Sequence, residues 1–462
     1  MRVNCGVLCL SSFGIKRTSM GELIAPESVE TLRAHVIRAL ERYWPTGADR
    51  LEHLPIPRLP FPVVAEVPHP VMVVVPDWAT DAAIDGALLV PREACESGED
   101  WENVDWWLAV FLMLEGWHER VWELNHGSIH SYRFRLENWP DIWWDRAWVN
   151  RIALFVRIWA ARKAGTSEEA LFGKLPPPEI VVTHDVDAVS KTVPIRLKQS
   201  AFNGFNAVRL TFKGRIRDAG KRISTAIRFL FRHEDWWLLD EVVSFERNGS
   251  IRAEFNFYAD DQPNNFKKWL FDPGYHVSDP RICDFVNRVT RDGWSVGLHP
   301  SYDNWKDAPL LRAAREQLST GLGIDVTACR QHWLRFSWHR TWTAQETAGI
   351  ERDTTIMFND RPGFRTAAAL RWRPWDSHGG VAHRLEELPT VLMDSHFYDY
   401  QQMSPFERRN AMKYWIDETR AVCGQIAVLW HPQTLSESYG WRDGFMDLLT
   451  VVGNKDERDA VS

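Results

Sequence analysis

The sequence predicts an α/β protein, a parallel barrel of about seven strands preceded by a smaller, mainly helical N-terminal part. Three observations predict it. After the proline run Leu175-Pro176-Pro177-Pro178, which no helix can cross, short apolar runs alternate with amphipathic helical runs. Several of the apolar runs end on a carboxylate, an arginine or a histidine, and barrel strand ends are where such groups are mounted. Before the proline run the pattern is mostly helical. The 462 residues exceed one ordinary core, so two domains are expected, at 21–172 and 173–450, with a polar tail at 451–462.

In chain order, residues 1–20 stand apart. Arg2 and the weakly apolar stretch after Cys5 lack the apolar core and cleavage site of a signal peptide, and Met20 is an alternative start. Ser28 is placed to cap a helix running to Tyr43. Residues 71–75 read as a buried strand, and 106–124 and 147–163 as helices. Many of the 25 tryptophans fall between Trp101 and Trp159, where core packing explains them. Beyond the prolines, strands are expected at 180–183, 252–258, 294–298, 328–330, 353–358, 385–389 and 425–430, with helices at 280–292, 308–320 and 405–422. An insert at 191–232 holds eleven Lys and Arg against one acid, Asp218. Its plain reading is a solvated helical excursion. Its functional reading is peripheral contact with anionic lipid headgroups or a phosphate-linked glycolipid.

Composition narrows the class. A content of 45% hydrophobic and 25% charged residues is that of a globular protein, and a net charge of −7 gives no reason to expect a nucleic-acid partner. The longest apolar helix, at 106–114, stops at Glu115, far short of the roughly 20 residues a bilayer needs, so no transmembrane segment is expected. Cys5, Cys9, Cys95, Cys283, Cys329 and Cys423 form no C-x-x-C pair, which favours a reducing, cytoplasmic setting.

The chemistry-bearing words lie at the predicted strand ends. Val181-Val182-Thr183-His184-Asp185-Val186-Asp187 runs an apolar strand into two carboxylates one residue apart, which share a side on extended backbone. Like charges so close repel, so one is expected to meet a cation or an arginine, the natural split being one metal ligand and one general base. Val296-Gly297-Leu298-His299-Pro300-Ser301-Tyr302 ends another strand on His299. A helix starting at Pro300 would put Asp303 on the face of His299, as a further ligand or merely as a helix-terminus charge. Arg330 and His332 share a side after a third strand, where the arginine can orient Asp185. The last strand ends on His431, suited to a general acid; Asp353, Asp360, Arg365 and Asp394 are charges that can orient it or meet substrate. Trp305, Trp333, Trp338, Trp342 and Trp430 flank these words and fit sugar faces.

These words, in this order, resemble the NodB-homology polysaccharide deacetylases, of the carbohydrate esterase family 4 type, over roughly residues 178 to 435. The resemblance is closest to a diverged branch with an N-terminal extension. It implies a deformed barrel, a base at Asp185, a metal ligand at Asp187, another at His299, an orienting Arg330 and an acid at His431. Asp303 stands where the second motif holds its second histidine, and a set of Asp187, His299 and Asp303 is a hard donor set. The implied cofactor is a divalent metal, zinc first, with manganese, cobalt and iron as alternatives. The implied reaction removes acetyl groups from an N- or O-acetylated oligo- or polysaccharide or glycolipid, in surface polysaccharide biosynthesis. His332, Trp333, Trp305, Tyr302, Trp430 and Arg365 are the expected substrate-binding residues. The alternatives are a degenerate barrel that binds glycan without turnover, and hydrolysis of another non-peptide C–N bond.

Overall fold

A computed structural model describes residues 23–453 apart from 82, 99, 131–135, 261 and 264. The N-terminal segment at 1–20, with Cys5 and Cys9, and the tail beyond 453 lie outside the described residues.

The N-terminal part contains helices α1 (Val29–Ala39), α2 (Trp106–Leu114), α3 (Trp117–His126), α4 (Trp148–Ala164) and α5 (Glu168–Phe172). An antiparallel hairpin of β1 (Pro70–Val74) and β2 (Ala87–Pro91) packs among them. Ser28 caps α1 by accepting from the Thr31 amide, as its position before the apolar period requires. All nine residues of α2 are buried. The helix expected at 106–124 is broken in two at Glu115 and Gly116. Gly116 has φ +55°, and a Cβ there would collide with the Trp338 indole, so the break is set by contact with the barrel. One continuous apolar core runs through both parts of the chain. Buried ion pairs bind them as well: Arg365 to Glu119 at 2.6 Å and Arg151 to Glu418 at 2.6 Å.

The second part is built on β3 (Glu179–Val186), β4 (Glu254–Ala259), β5 (Ser295–Pro300), β6 (Ala328–Cys329) and β7 (Arg352–Asp353). A small antiparallel hairpin, β8 (Trp375–Asp376) and β9 (Val381–Ala382), precedes β10 (Glu386–Glu387), β11 (Thr390–Met393) and β12 (Gln425–Leu429). The main sheet has eight strands, all parallel, in the order β10-β7-β6-β5-β4-β3-β12-β11. Its two edge strands are neighbours in sequence. Residues 386–387 pair with β7 at one edge and 390–393 with β12 at the other, so this stretch closes the sheet on itself. Counting β10 and β11 as one stave gives the expected barrel of seven, and closure removes exposed edges. Because every strand runs the same way, the residues ending β3, β5, β6 and β12 gather on one face.

The strand expected at 353–358 keeps only its first residue, in the two-residue β7. From Thr354 on the regular ladder is interrupted: the Thr354 carbonyl accepts from Arg330, the Thr355 hydroxyl from the Gln331 amide and the Ile356 carbonyl from the Thr390 amide. No helix begins at Pro300, which is the last residue of β5.

Asp353 and Glu387 face each other across β7 and β10, both fully buried. The Trp342 indole N–H lies 3.2 Å from each carboxyl. Burial raises the pKa of both, and the neighbouring Asp353 charge pushes Glu387 further up. The pair therefore shares a proton that the unfolded chain releases. Stability contributed here is present in acid and lost as pH rises above the ordinary carboxylate range, by at most about 1.4 kcal/mol per pH unit for one proton. Glu387→Gln supplies an amide donor in place of that proton. Scanning calorimetry is expected to show a flatter fall of Tm with rising pH in this variant; an unchanged slope would remove the pair from the account.

Candidate metal centre and active site

Asp187 lies one residue past the end of β3, and its carboxylate is the hub of the barrel mouth. Its Oδ1 is 3.4 Å from His299 Nε2 and 3.7 Å from His332 Nε2, and its Oδ2 is 3.6 Å from His431 Nε2. Oδ1 is buried with no well-formed hydrogen bond, an arrangement that costs free energy unless a cation meets it. Ligand atoms of Asp187, His299 and His332 all fall within 4.8 Å of one another.

Both imidazoles are pinned from behind. His299 donates its Nδ1–H to the Arg330 carbonyl at 2.7 Å, and His332 Nδ1 lies 3.2 Å from Asp272 Oδ1. Each ring is thereby turned to present Nε2 to Asp187, the arrangement that second partners impose on metal-binding histidines. Asp272 is itself held by the Ser301 hydroxyl and the Tyr302 amide. The donor set fits a divalent cation: one carboxylate and two imidazole nitrogens leave open positions for water or substrate. Burial alone would raise the Asp187 carboxyl, but the facing imidazoles of His299, His431 and His332 outweigh it and hold it well below the usual range.

Two further groups flank this cluster. Asp185, the penultimate residue of β3, receives Arg330 Nη1 at 3.3 Å and Asn256 Nδ2 at 3.2 Å. Both bonds fall on Oδ1, and Oδ2 faces His299 Nε2 at 3.9 Å. Gly297 leaves the room for Asn256: any Cβ on it would strike that side chain. Arg330 is completely buried and spans the barrel, donating to Thr183 Oγ1, the Thr354 carbonyl and Thr390 Oγ1. On the other side, His431 Nδ1 donates to Asp394 Oδ1 at 2.9 Å. The same Asp394 accepts from the His431 amide and the Thr434 hydroxyl. Burial lowers the His431 pKa, yet Asp394, with Asp187 and Asp185, pushes it up to about 10. This favours the protonated ring, whose Nε2 faces the cluster at 3.6 Å from Asp187 Oδ2.

The structure thus brings together Asp185, Asp187, His299, Arg330, His332 and His431. It does not bring Asp303 to them. That residue is half exposed and paired with Lys267, because the chain past Pro300 turns outward instead of starting a helix. His332, expected to touch substrate, takes its place in the cluster. Trp430 and Trp305 are buried, at 0% and 5% exposure, and meet core neighbours and His130. Trp338 and Trp342 are core residues as well, and Arg365 is buried on Glu119. None of these five offers a sugar platform. Trp333, at 46% exposure, does stand at the mouth, beside the stacked pair Phe271 and Tyr302. Its backbone has φ +55°, and Leu334 has φ +50°, a strained turn of the kind held at functional sites. Sequence reasoning missed Asp272 and Asn256, which carry no motif. Asp394 was one of four charges considered for orienting His431, and the structure selects it.

Fold and site together define a parallel α/β barrel with an Asp–His–His cluster on its C-terminal face. No protein-family model matches the chain, and no curated protein matches it. Among solved structures it is similar to a protein of Mycobacterium smegmatis assigned as a polysaccharide deacetylase, at 16% identity and a TM-score of 0.34, over 61% of this chain and 88% of that one. It is also similar to the Xyl-CE4 domain of a multidomain xylanase from the hindgut metagenome of Trinervitermes trinervoides, at 8% identity and a TM-score of 0.29, over 60% of this chain and 84% of that one. A third is a mutant CE4 family pseudoenzyme with restored enzymatic activity, at 9% identity and a TM-score of 0.24, over 60% of this chain and 64% of that one.

Proposed function

We propose that this protein is a metal-dependent hydrolase that removes an acetyl group from an N- or O-acetylated carbohydrate. The observation that carries the reading is the Asp187 carboxylate with a bare buried oxygen before two pinned imidazoles. Asp187, His299 and His332 would hold the cation. Zinc suits this set better than it suits one completed by Asp303, since a second imidazole replaces a hard carboxylate. When bound, the cation supplies Lewis-acid polarisation of the acetyl carbonyl and of water.

The chain's own residues divide the proton work. Arg330 and Asn256 occupy one oxygen of Asp185 and orient it, so its other oxygen takes the proton of the attacking water as the new C–O bond forms. His431, protonated and held by Asp394, gives its Nε2 proton to the sugar nitrogen or oxygen as the bond to the acetyl carbon breaks. The products are acetate and the free amine or hydroxyl. Trp333 is the exposed ring at the mouth able to stack on a sugar face.

The reading of a degenerate glycan binder rested on a missing second histidine, a role that His332 would fill beside Asp187 and His299. The test is metal content and acetate release of the purified chain against acetylated glucosamine oligomers and acetylated xylan. Near-equimolar metal and acetate release that chelation stops and zinc restores are expected. A protein that takes up none of zinc, manganese, cobalt or iron would overturn the proposal.

A further inference from the structure

The basic insert at 191–232 forms an antiparallel hairpin of two long helices, α6 (Val193–Phe212) and α7 (Ile216–Phe231). It leaves the barrel directly after Asp187, so it rises from the face that carries the site. Each helix exposes an apolar stripe at helical spacing. On α6 the stripe is Val193, Leu197, Phe205, Val208 and Phe212, from 51% to 88% exposed. On α7 it is Ile216, Ile223, Ile227 and Phe231, from 50% to 69% exposed. Inward the hairpin buries little: Asn203 and Ala207 on one helix, Ala219 and Phe229 on the other. Large apolar side chains left in water in such number mark a surface with a partner.

Charge says what the partner is. The segment carries eleven Lys and Arg and one acid, Asp218, in a chain whose net charge is −7; Lys191 is buried on Glu234 and Arg222 and Arg232 pair with Asp399 and Glu437, while Lys213, Arg215, Arg217 and Lys221 stand exposed around the tip of the hairpin. A twofold pairing of hairpin on hairpin would set these cations against each other. An apolar stripe flanked by cations is instead the pattern of helices that lie in an anionic lipid interface. No helix among the described residues is long and apolar enough to cross a membrane, so contact would be along the surface.

The hairpin is also tied towards the site. Lys198 donates to the carbonyls of Trp269 and Leu270 on α9 (Phe266–Phe271), once α8 (Leu239–Asn248) has returned the chain to the barrel. Phe266 and Trp269 are exposed there, at 75% and 46%. The next residues are Phe271, stacked on Tyr302 at the mouth, and Asp272, which holds His332. Lys198 thus ties the hairpin to α9, whose exposed aromatic residues stand between that contact and the rim of the site.

We propose that the α6–α7 hairpin and α9 dock on an anionic membrane surface and present the barrel mouth to an acetylated sugar carried on a lipid. The docking half stands on the hairpin alone; the lipid-carried substrate rests on the deacetylase reading above. The test uses the full chain with phosphatidylcholine vesicles, with and without phosphatidylglycerol. The variants are the surface pair Phe205→Glu with Phe212→Glu and the triple reversal Lys213→Glu, Arg215→Glu and Arg217→Glu. Wild type is expected to sediment only with the anionic vesicles, less so as salt rises, and both variants to lose more than about tenfold in partition while keeping their metal. Acetate release is then measured from an acetylated glucosaminyl lipid in the same vesicles and from a soluble acetylated glucosamine oligomer. A preference for the lipid form that disappears in both variants is expected, with turnover of the soluble oligomer unchanged. Equal partition of wild type and variants, or a wild-type dimer that the phenylalanine substitutions split, would overturn the docking. Docking with equal turnover of both substrates would overturn the lipid-carried substrate alone. Docking with no acetate from either would sink the deacetylase reading and the lipid-carried substrate with it, and leave the docking standing.

Discussion

Asp185→Asn is expected to lower acetate release by about 10²–10⁴-fold, the loss typical of removing a general base, while the protein keeps its metal. The amide has nearly the volume of the carboxylate and can accept from Arg330 Nη1 and Asn256 Nδ2 as Asp185 does now. What it loses is basicity at the oxygen facing His299. The measurement that separates base from scaffold is metal content beside turnover. Lost metal would make Asp185 a structural charge; full turnover would remove it from the reaction. Because Asp185 and Arg330 are both buried, Arg330→Met is the harsher change. It strands a buried carboxylate without its cation and also unpairs Thr183 and Thr390, so a folding defect is expected there.

The second large effect concerns which residue completes the metal set. His332→Ala is expected to weaken metal binding by more than about 100-fold, beyond the 10–100-fold typical of losing a supporting partner. Asp272→Asn, which removes only the carboxylate behind His332, is expected to fall within that smaller range. Asp303→Ala is expected to bind as wild type does, since its partner is Lys267 at the surface. Titration of the metal-free protein with zinc, followed by competition with a chelator, ranks the three. If Asp303→Ala weakened binding as much as His332→Ala, the chain after Pro300 would have to close over the site in the metal-bound form, and the donor set named above would be wrong.

Much of the barrel was legible because period and termination are local properties. The β-branched run of β3, the histidine ending β5 and the capped helix at 405–421 are each written in adjacent residues. The Asp185–Arg330 contact was also readable, since a buried carboxylate needs a cation and a resemblance named the arginine. Legibility ended where a residue's role depends on a partner far along the chain. The motif spacing favoured Asp303 over His332, because an i, i+4 pair can be judged only if a helix is assumed. The chain leaves Pro300 without one. The tryptophans show the same limit. A flat ring next to a site word suits a sugar and a core equally, and only burial separates Trp333 from Trp430.

The sequence by itself determined the parallel α/β class, the order of the site words and the basic helical insert, because each is set by side-chain period, charge or chain order within a short window. Only the tertiary structure decided that residues 386–393 close the sheet, that Asp272 and Asp394 hold His332 and His431, and that His332 joins Asp187 and His299. These are contacts between segments from 34 to 145 residues apart. Their geometry comes from how strands curl and loops leave their ends, and no local pattern of residues encodes it.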